Sequence, residues 1–434
     1  MISIALVLMM GQWTLMPVDT TNYIGWFPSL ALDVNNNPHI SYGNESSGDL
    51  MYARWDGSAW QIEVVDTAGW VGECTSIALD SQGRPHISYF DRSNYNLKYA
   101  RWDGSAWQID VVDATADWVG APTSIALDSQ DRPHISYYDW SNSNLKYARW
   151  DGSAWQIDVV DAAGDVGDYT SIALDSQDRP HISYFDRSNY NLKYARWDGS
   201  AWQIDVVDAA GDVGDYTSIA LDSQGRPHIS YHDADNEILK YARWDGSAWQ
   251  IEVVDATAGW VGVHTSVALD SHDSPHISYH DWSNYNLKYA RWDGSAWQIE
   301  VVEGGGLGAG FFGTDRSLRI GTDDCPRIAY HVEDPEDLYY AHMGCPPLAG
   351  DISEEKGNRN IEFRPLGKKV YLFLPGQTRI SLSLYDVSGS LVQNIYDGIL
   401  SAGSHTFIFE NERMGVYFAV LRHPDGMKTI KVIR

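Results

Sequence analysis

His232, His264, His280 and His331 stand where neighbouring stretches of the chain carry other residues. With Asp233 and Asp281 they are the ligand types a transition metal takes. The competing reading is ordinary variation at solvent-exposed positions. Two runs, Asp161-Ala-Ala-Gly-Asp-Val-Gly-Asp168 and its copy at 208–215, each place three carboxylates in one loop, a setting calcium favours. Their spacing matches no known calcium loop, and Asp with Gly is also turn chemistry. No cofactor is therefore expected, and calcium stays an unsupported option. Trp70, Trp118 and Trp260 recur at equivalent places, with Tyr23, Asp165 and Asp212 at others. A second set comprises Trp140, Trp282, Arg92, Arg187, Asp91, Asp139, Asp186, Asp233 and Asp281. Aromatic faces beside fixed carboxylates and guanidiniums suit a sugar, whose apolar face stacks while polar groups take its hydroxyls. The structural alternative is that the Trp pack between loops and the Asp form Asx-turns. No convincing catalytic triad, paired-acid site or nucleotide motif is present.

These residues must be positioned by a repeat. Residues 217–255 read TSIALDSQGRPHISYHDADNEILKYARWDGSAWQIEVVD, and nearly the same words return every 47 or 48 residues over the first 340 or so. Each unit holds four strand signals bounded by turn residues, with Asp-Gly as the hairpin between the third and fourth. First strands are expected from Ser29, Ser76, Ser124, Ser171, Ser218, Ser266 and, in degenerate form, Ser317. Second strands start at Pro38, Pro85, Pro133, Pro180, Pro227, Pro275 and Pro326. Third strands end near Trp55, Trp102, Trp150, Trp197, Trp244, Trp292 and Met343. Only six fourth strands follow, from Trp60, Trp107, Trp155, Trp202, Trp249 and Trp297. Trp13-Thr-Leu-Met-Pro-Val-Asp19 matches Trp60-Gln-Ile-Glu-Val-Val-Asp66 and supplies the seventh. The expectation is an all-β, seven-bladed β-propeller over residues 12–344, closed by its N-terminal strand.

In such a blade the fourth-to-first and second-to-third loops share one face. Those loops vary within this chain, whereas the Asp-Gly-Ser-Ala and Asp-Ser-Gln turns of the opposite face barely change. The candidate aromatic and charged residues all fall on the variable face. His39, His86, His134, His181, His228 and His276 recur once per blade at the opposite pole and are expected to satisfy buried neighbours. Twelve of the 19 Trp sit in the Arg-Trp-Asp-Gly-Ser-Ala-Trp hairpins and are expected to pack.

The net charge of −28 argues against nucleic acid and anionic membranes as partners, and no stretch is long enough to span a bilayer. Residues 1–11 form an apolar run resembling the core of a secretory signal. Cys325 opens the second strand of the last blade and Cys345 follows its third. Neighbouring antiparallel strands bring them to one pole, so a disulfide is expected there, with Cys74 free.

Residues 345–360 are rich in Pro, Gly and charge and read as a linker. Residues 361–434 change period, with six short alternating strands expected in a small β-sandwich. Leu382-Ser-Leu-Tyr-Asp-Val-Ser-Gly-Ser-Leu-Val392, Gly398-Ile-Leu-Ser-Ala-Gly-Ser-His-Thr406, Gly415-Val-Tyr-Phe-Ala-Val420 and Lys428-Thr-Ile-Lys-Val-Ile433 carry a resemblance. The segment resembles the immunoglobulin-like C-terminal domains of secreted bacterial proteins, similar to flagellar hook-capping and type IX secretion sorting domains. Glu362-Phe-Arg-Pro-Leu366 stands where an Asn-Pro pair often opens such domains. The resemblance implies a partner in the bacterial secretion machinery and release, or display, at the outer surface of a Gram-negative cell. The repeat unit resembles bacterial extracellular propellers and is loosely similar to sialidase-type and lectin-type ones. The spacing around its Asp-Gly differs, so that activity does not carry over. The expected function is an exported binding or adhesion module for a glycan or protein ligand. The alternatives are a polysaccharide hydrolase or lyase working from the His-rich sector, or a ligand-free surface spacer.

Overall fold

A strand buried along its whole length has to be covered on both faces. Pro85–Asp91, Pro-His-Ile-Ser-Tyr-Phe-Asp, is buried at every position, while Trp107–Asp113 alternates and keeps only its last two residues buried. The first belongs to the middle of a blade and the second to its rim. The computed structural model describes residues 13–21, 23–257, 259–304, 317–332 and 336–344. In the C-terminal part it describes 362–366, 369–374, 378–386, 391–400, 403–408, 416–423 and 426–433. The suggested signal at 1–11, the linker at 345–360 and Cys345 lie outside them.

The chain divides into two compact units, one of which spans Trp13–Cys345. Among the described residues of that unit, seven four-stranded antiparallel sheets form a propeller. Blade two is typical, with strands Val71–Leu79, Pro85–Asp91, Asn96–Trp102 and Trp107–Asp113 in sequence order. Blades one and three to six repeat it, opening at Ile24, Val119, Val166, Val213 and Val261. Blade seven takes Leu318–Ile320, Pro326–Val332 and Asp337–Met343 from the end of the ring, and Trp13–Asp19 as its outer strand. Trp13 pairs with Met343 and Asp19 with Leu338, so the expected closure is present. Cys325 is buried and disulfide-bonded, and Cys74 is free. Among the described residues no helix is long and apolar enough to cross a membrane.

One departure from the sequence reading matters for function. The first strands start five residues earlier than their Ser, at Val71 rather than Ser76 in blade two. The Gly in that extension looks like a loop residue but has another task. Gly72 has φ +89°, and a Cβ there would lie 2.8 Å from Leu50 Cα of the preceding blade. Only glycine lets the strand cross its neighbour so closely.

Polar residues then join blade to blade. Ser29, Ser76, Ser124, Ser171, Ser218 and Ser266 each accept, at 3.1–3.2 Å, the amide N–H of Ile77, Ile125, Ile172, Ile219, Val267 and Leu318 in the following blade. At the rim, Asp113 accepts from Tyr137 Oη at 2.7 Å and from Lys146 Nζ at 2.5 Å, both in the next blade. Burial pushes the Asp113 carboxyl up, but these bonds outweigh it and hold the group below its ordinary range. The recurrent histidines are bound as expected: His86 Nδ1 meets Tyr99 Oη at 2.5 Å, and burial lowers its pKa to about 4. Hairpin Trp107 lies edge-on to Tyr52 of the preceding blade, ring centroids 5.3 Å apart.

The described strands of the second unit form a three-stranded and a four-stranded sheet around Leu372, Ile380, Leu382, Leu384, Ala419 and Leu421. Among the described residues seven strands are present rather than the six expected, because Glu362–Leu366 pairs with Lys369–Leu374.

Candidate functional site

After the crossing glycine and before a threonine (Pro28 in blade one), each first strand of blades one to six carries two variable residues. They are Trp26-Phe27, Glu73-Cys74, Ala121-Pro122, Asp168-Tyr169, Asp215-Tyr216 and Val263-His264 in blades one to six. The ladder breaks there, for example between Glu73 and Ser76 and between Asp168 and Ser171. Phe27, Cys74, Tyr169, Tyr216 and His264 have φ values of 50–55°. Non-glycine residues rarely adopt this left-handed region, and clusters of them mark sites where a side chain has been re-aimed. In blades two to six the threonine that follows anchors the bulge to the preceding blade, as where Thr170 Oγ1 donates to Ser136 Oγ at 2.8 Å.

The first strands converge on the propeller axis, so these side chains, apart from Trp26, Asp215 and Val263, surround a cavity of about 360 Å³ on the variable-loop face. That volume falls within the range of small-molecule sites, about 300–1,000 Å³. Its walls differ in character. Phe27, Phe90, Pro122, Trp118 and Trp140 form an apolar side. Asp168, Tyr169, Tyr216, His264 and Arg187 form a polar one, with Glu73 and Cys74 also in the lining. Trp118 is 45% exposed and Trp140 40% exposed. Trp118 stacks on Phe90 at 6.3 Å, while Trp140 is held by Nε1 donating to the Ala121 carbonyl at 2.7 Å. The opposite mouth is lined by the repeated Ala-Leu pairs, such as Ala78-Leu79, with Arg319 as its charged residue. Chemical differences between blades are therefore concentrated at the first mouth.

Asp168 is 4% exposed and accepts from Arg187 Nη1 at 2.7 Å. Burial pushes its carboxyl up to about 6, against the pull of Arg187. Asp215 is pushed to about 7 by burial and by the charges of Asp212 and Asp168. The Tyr169 and Tyr216 rings lie 4.5 Å apart, and Tyr216 is 4.4 Å from the His264 ring. Burial raises the Cys74 thiol far above its usual range, which keeps it protonated and a poor nucleophile. The cavity thus holds an aromatic wall, an ion pair whose carboxyl is raised to about 6, and two half-buried phenols.

No protein-family model and no curated protein sequence matches this chain. Solved structures do. A polysaccharide lyase described as an ulvan lyase aligns with a TM-score of 0.52 at 12% identity, over 74% of this chain and 95% of its own. The same lyase with bound ligand aligns at 13% identity with the same TM-score and coverage. A protein of unknown function from Dyadobacter fermentans gives a TM-score of 0.47 at 10% identity, over 67% of this chain and 96% of its own. At these identities the likeness to the lyase shows the propeller fold alone.

Of the residues singled out in the sequence, Trp118, Trp140, Arg187 and His264 line the cavity. The others lie elsewhere. Trp70 carries the Arg92 guanidinium 5.8 Å from its ring, and Arg92 donates to Glu73 at 2.8 Å. Trp260 lies on His232 and donates to its Nε2 at 2.7 Å, and Trp282 meets His280 edge-on at 5.8 Å. Asp91, Asp139, Asp186, Asp233 and Asp281 are buried. They accept the backbone N–H of the Asn three residues on and sit 3.4–3.7 Å from a Lys. They shape the second-to-third turns.

The four pattern-breaking histidines do not converge. His232, His280 and His331 fill the buried second-strand slot that Phe90, Tyr138 and Phe185 fill in other blades, and burial lowers each to about 4. Among the described residues no three His, Cys, Asp or Glu are grouped to hold a metal. The carboxylates of residues 161–168 likewise face different partners. Asp161 is bound to Lys193 and Tyr184, Asp165 to Tyr138, and Asp168 to Arg187. Phe27, Cys74, Tyr169 and Tyr216 escape a reading that starts each first strand at Ser. The signal that finds them is the variable pair between two repeated residues, Gly and Thr.

Proposed function

We propose that this chain is an exported carbohydrate-binding propeller that holds one sugar segment in the axial cavity of its variable-loop face. The observation that carries this is the asymmetry of the cavity. Trp118 and Trp140 provide an aromatic wall, with phenols and an ion pair in the same lining able to take hydroxyls, the Arg187 guanidinium of that pair lying 5.2 Å from the Trp140 ring. Stacking on one side and fixed hydrogen-bonding groups on the other is what pyranose recognition needs. Near-identical blades would by themselves favour several equivalent sites, but the variable pairs make one unique site. A glycan array followed by calorimetry tests the reading. Wild type should bind a restricted set of glycans, and Trp118→Ala and Trp140→Ala should each weaken binding by about tenfold or more without loss of the melting transition. Equal binding by the Trp variants would overturn it.

Catalysis is the second reading, favoured by Asp168, a carboxyl of the lining raised to about 6. A carboxyl poised near neutrality can serve as acid or base. Release of reducing ends or unsaturated products from a bound glycan, abolished by Asp168→Asn, would support a polysaccharide hydrolase or lyase. In the same proposal the two-sheet C-terminal unit is an immunoglobulin-like sorting or anchoring domain that directs the propeller to the medium or the cell surface.

A further inference from the structure

The charges around the axial cavity restrict which sugar it can hold, and this inference rests on the carbohydrate reading. Two guanidiniums approach the site, and both are already matched. Arg187 Nη1 lies 2.7 Å from Asp168 Oδ2, and Arg92 Nη1 lies 2.8 Å from Glu73 Oε1. Asp168 and Glu73 are themselves lining residues. Three further carboxylates stand behind them. Asp165 accepts from Tyr138 and acts on Asp168, and Asp212 and Asp168 act on Asp215. Among the described residues Asp215 has no ion-pair partner, and Arg187 reaches it only through its field. The repeated lysines are committed elsewhere: Lys193 and Lys240 are buried on Asp161 and Asp208. Of these groups Glu73, Asp168 and Arg187 line the cavity itself, two carboxyls against one guanidinium, which leaves the mouth acidic within a chain of net charge −28. An incoming carboxylate or sulfate would be desolvated beside like charge, with no cation left to meet it.

We infer that the cavity selects a neutral or amino-bearing sugar and rejects uronate and sulfated sugars. The polar wall then has a simple division of labour. Phenols and the Asp168–Arg187 pair take hydroxyls or an amide, and the excess of carboxyl over guanidinium in the lining favours an ammonium. The apolar wall serves any pyranose and does not discriminate.

Four oligosaccharide series of equal length test this by calorimetry at pH 7 and low salt: neutral hexose, amino sugar, uronate and sulfated sugar. The neutral or amino series should bind at least tenfold tighter than the uronate and sulfated ones. Asp168→Asn releases Arg187 while keeping the buried shape. It should raise the ratio of uronate to neutral affinity at least tenfold, with an unchanged melting transition as the control for folding. Uronate or sulfated sugars binding as tightly as neutral ones in wild type would overturn the inference while leaving the carbohydrate reading standing. An unmoved affinity ratio in Asp168→Asn would also overturn it. Binding by none of the four series would overturn the carbohydrate reading, and this inference with it.

Discussion

Tyr89 of blade two donates its hydroxyl to Asp66 of blade one across 2.7 Å, and Lys98 reaches the same oxygen at 2.6 Å. The carboxylate ends one blade's outer strand and satisfies two polar groups buried in the next. Asp113, Asp161, Asp208 and Asp255 repeat the arrangement.

Asp66→Ala should be destabilising by about 3 kcal/mol, because it takes the 2.6 Å partner from a buried ammonium, leaves Lys98 only Asp91 at 3.6 Å, and strands the Tyr89 hydroxyl. Denaturant unfolding followed by Trp fluorescence measures the loss. A change below about 1 kcal/mol would mean that Lys98 finds other partners.

The same carboxylates set the acid limit. Burial raises Asp66 and its counterparts, but their bonds to Lys and Tyr outweigh it and hold them below the ordinary aspartate value of 3.8. A depressed folded pKa stabilises above the unfolded pKa and is lost as pH falls through the folded value. The buried histidines, lowered to about 4, already withdraw stability as pH falls through 6.5, and the carboxylates add their loss below about pH 4. Thermal melts between pH 8 and 2 should show a decline from about pH 6.5 that steepens below about pH 4, and a flat melting temperature between pH 6.5 and 4 would contradict it.

Asp215 works in the opposite sense. Its carboxyl is raised to about 7, so the folded chain holds that proton more tightly than the unfolded chain does. Its cost is full above pH 7 and disappears as pH falls towards 3.8. Asp215→Asn should raise the melting temperature at pH 8 by about 2 °C or more, with the gain fading towards pH 4. A constant gain at every pH would detach the effect from ionisation.

The outer strand of blade seven should be indispensable. Deleting Trp13–Asp19 uncovers the edge of Asp337–Met343 and removes buried Val18 and Asp19, which accepts from Tyr42 at 2.9 Å. The deletion should lower the melting temperature and promote aggregation at micromolar concentration, as read by light scattering.

The C-terminal unit should be separable. Truncation after Cys345 should leave the propeller's melting transition and glycan binding in place, because the two units have separate cores. In a host with a type IX secretion apparatus the truncated chain should stay in the periplasm. Its appearance in the medium would sink the sorting proposal.

The repeat made the propeller legible. Asp-Gly between two Trp fixes the outer hairpin, Pro fixes the start of the second strand, and the stray Trp13–Asp19 copy fixes the closure. The site was legible only in part. Trp118 and Trp140 betray themselves as large apolar residues in loops, but Trp70 and Trp260 look the same in sequence and serve Arg92 and His232 instead. Tyr169 and Tyr216 were hidden by the glycine before them, which reads as a loop and is a crossing point. His232, His280 and His331 suggested a metal because a histidine's letter says nothing of its surroundings. Phe90 and Phe185, in the same slot of other blades, reveal an aromatic-lined interior.

Trp13 and Met343, which pair at the seam of the ring, are about 330 residues apart along the chain. A ribosome adding about 5–20 residues per second takes roughly 20–60 s to deliver the second after the first. For that interval the earliest-made strand has no mate of its own, while six hungry blade edges with nearly the same sequence emerge behind it. Its Met16-Pro17, where the other outer strands read Glu-Val or Asp-Val, then acts as a mark of identity. Proline cannot donate to a ladder, which makes this strand a poor substitute for any outer strand but its own.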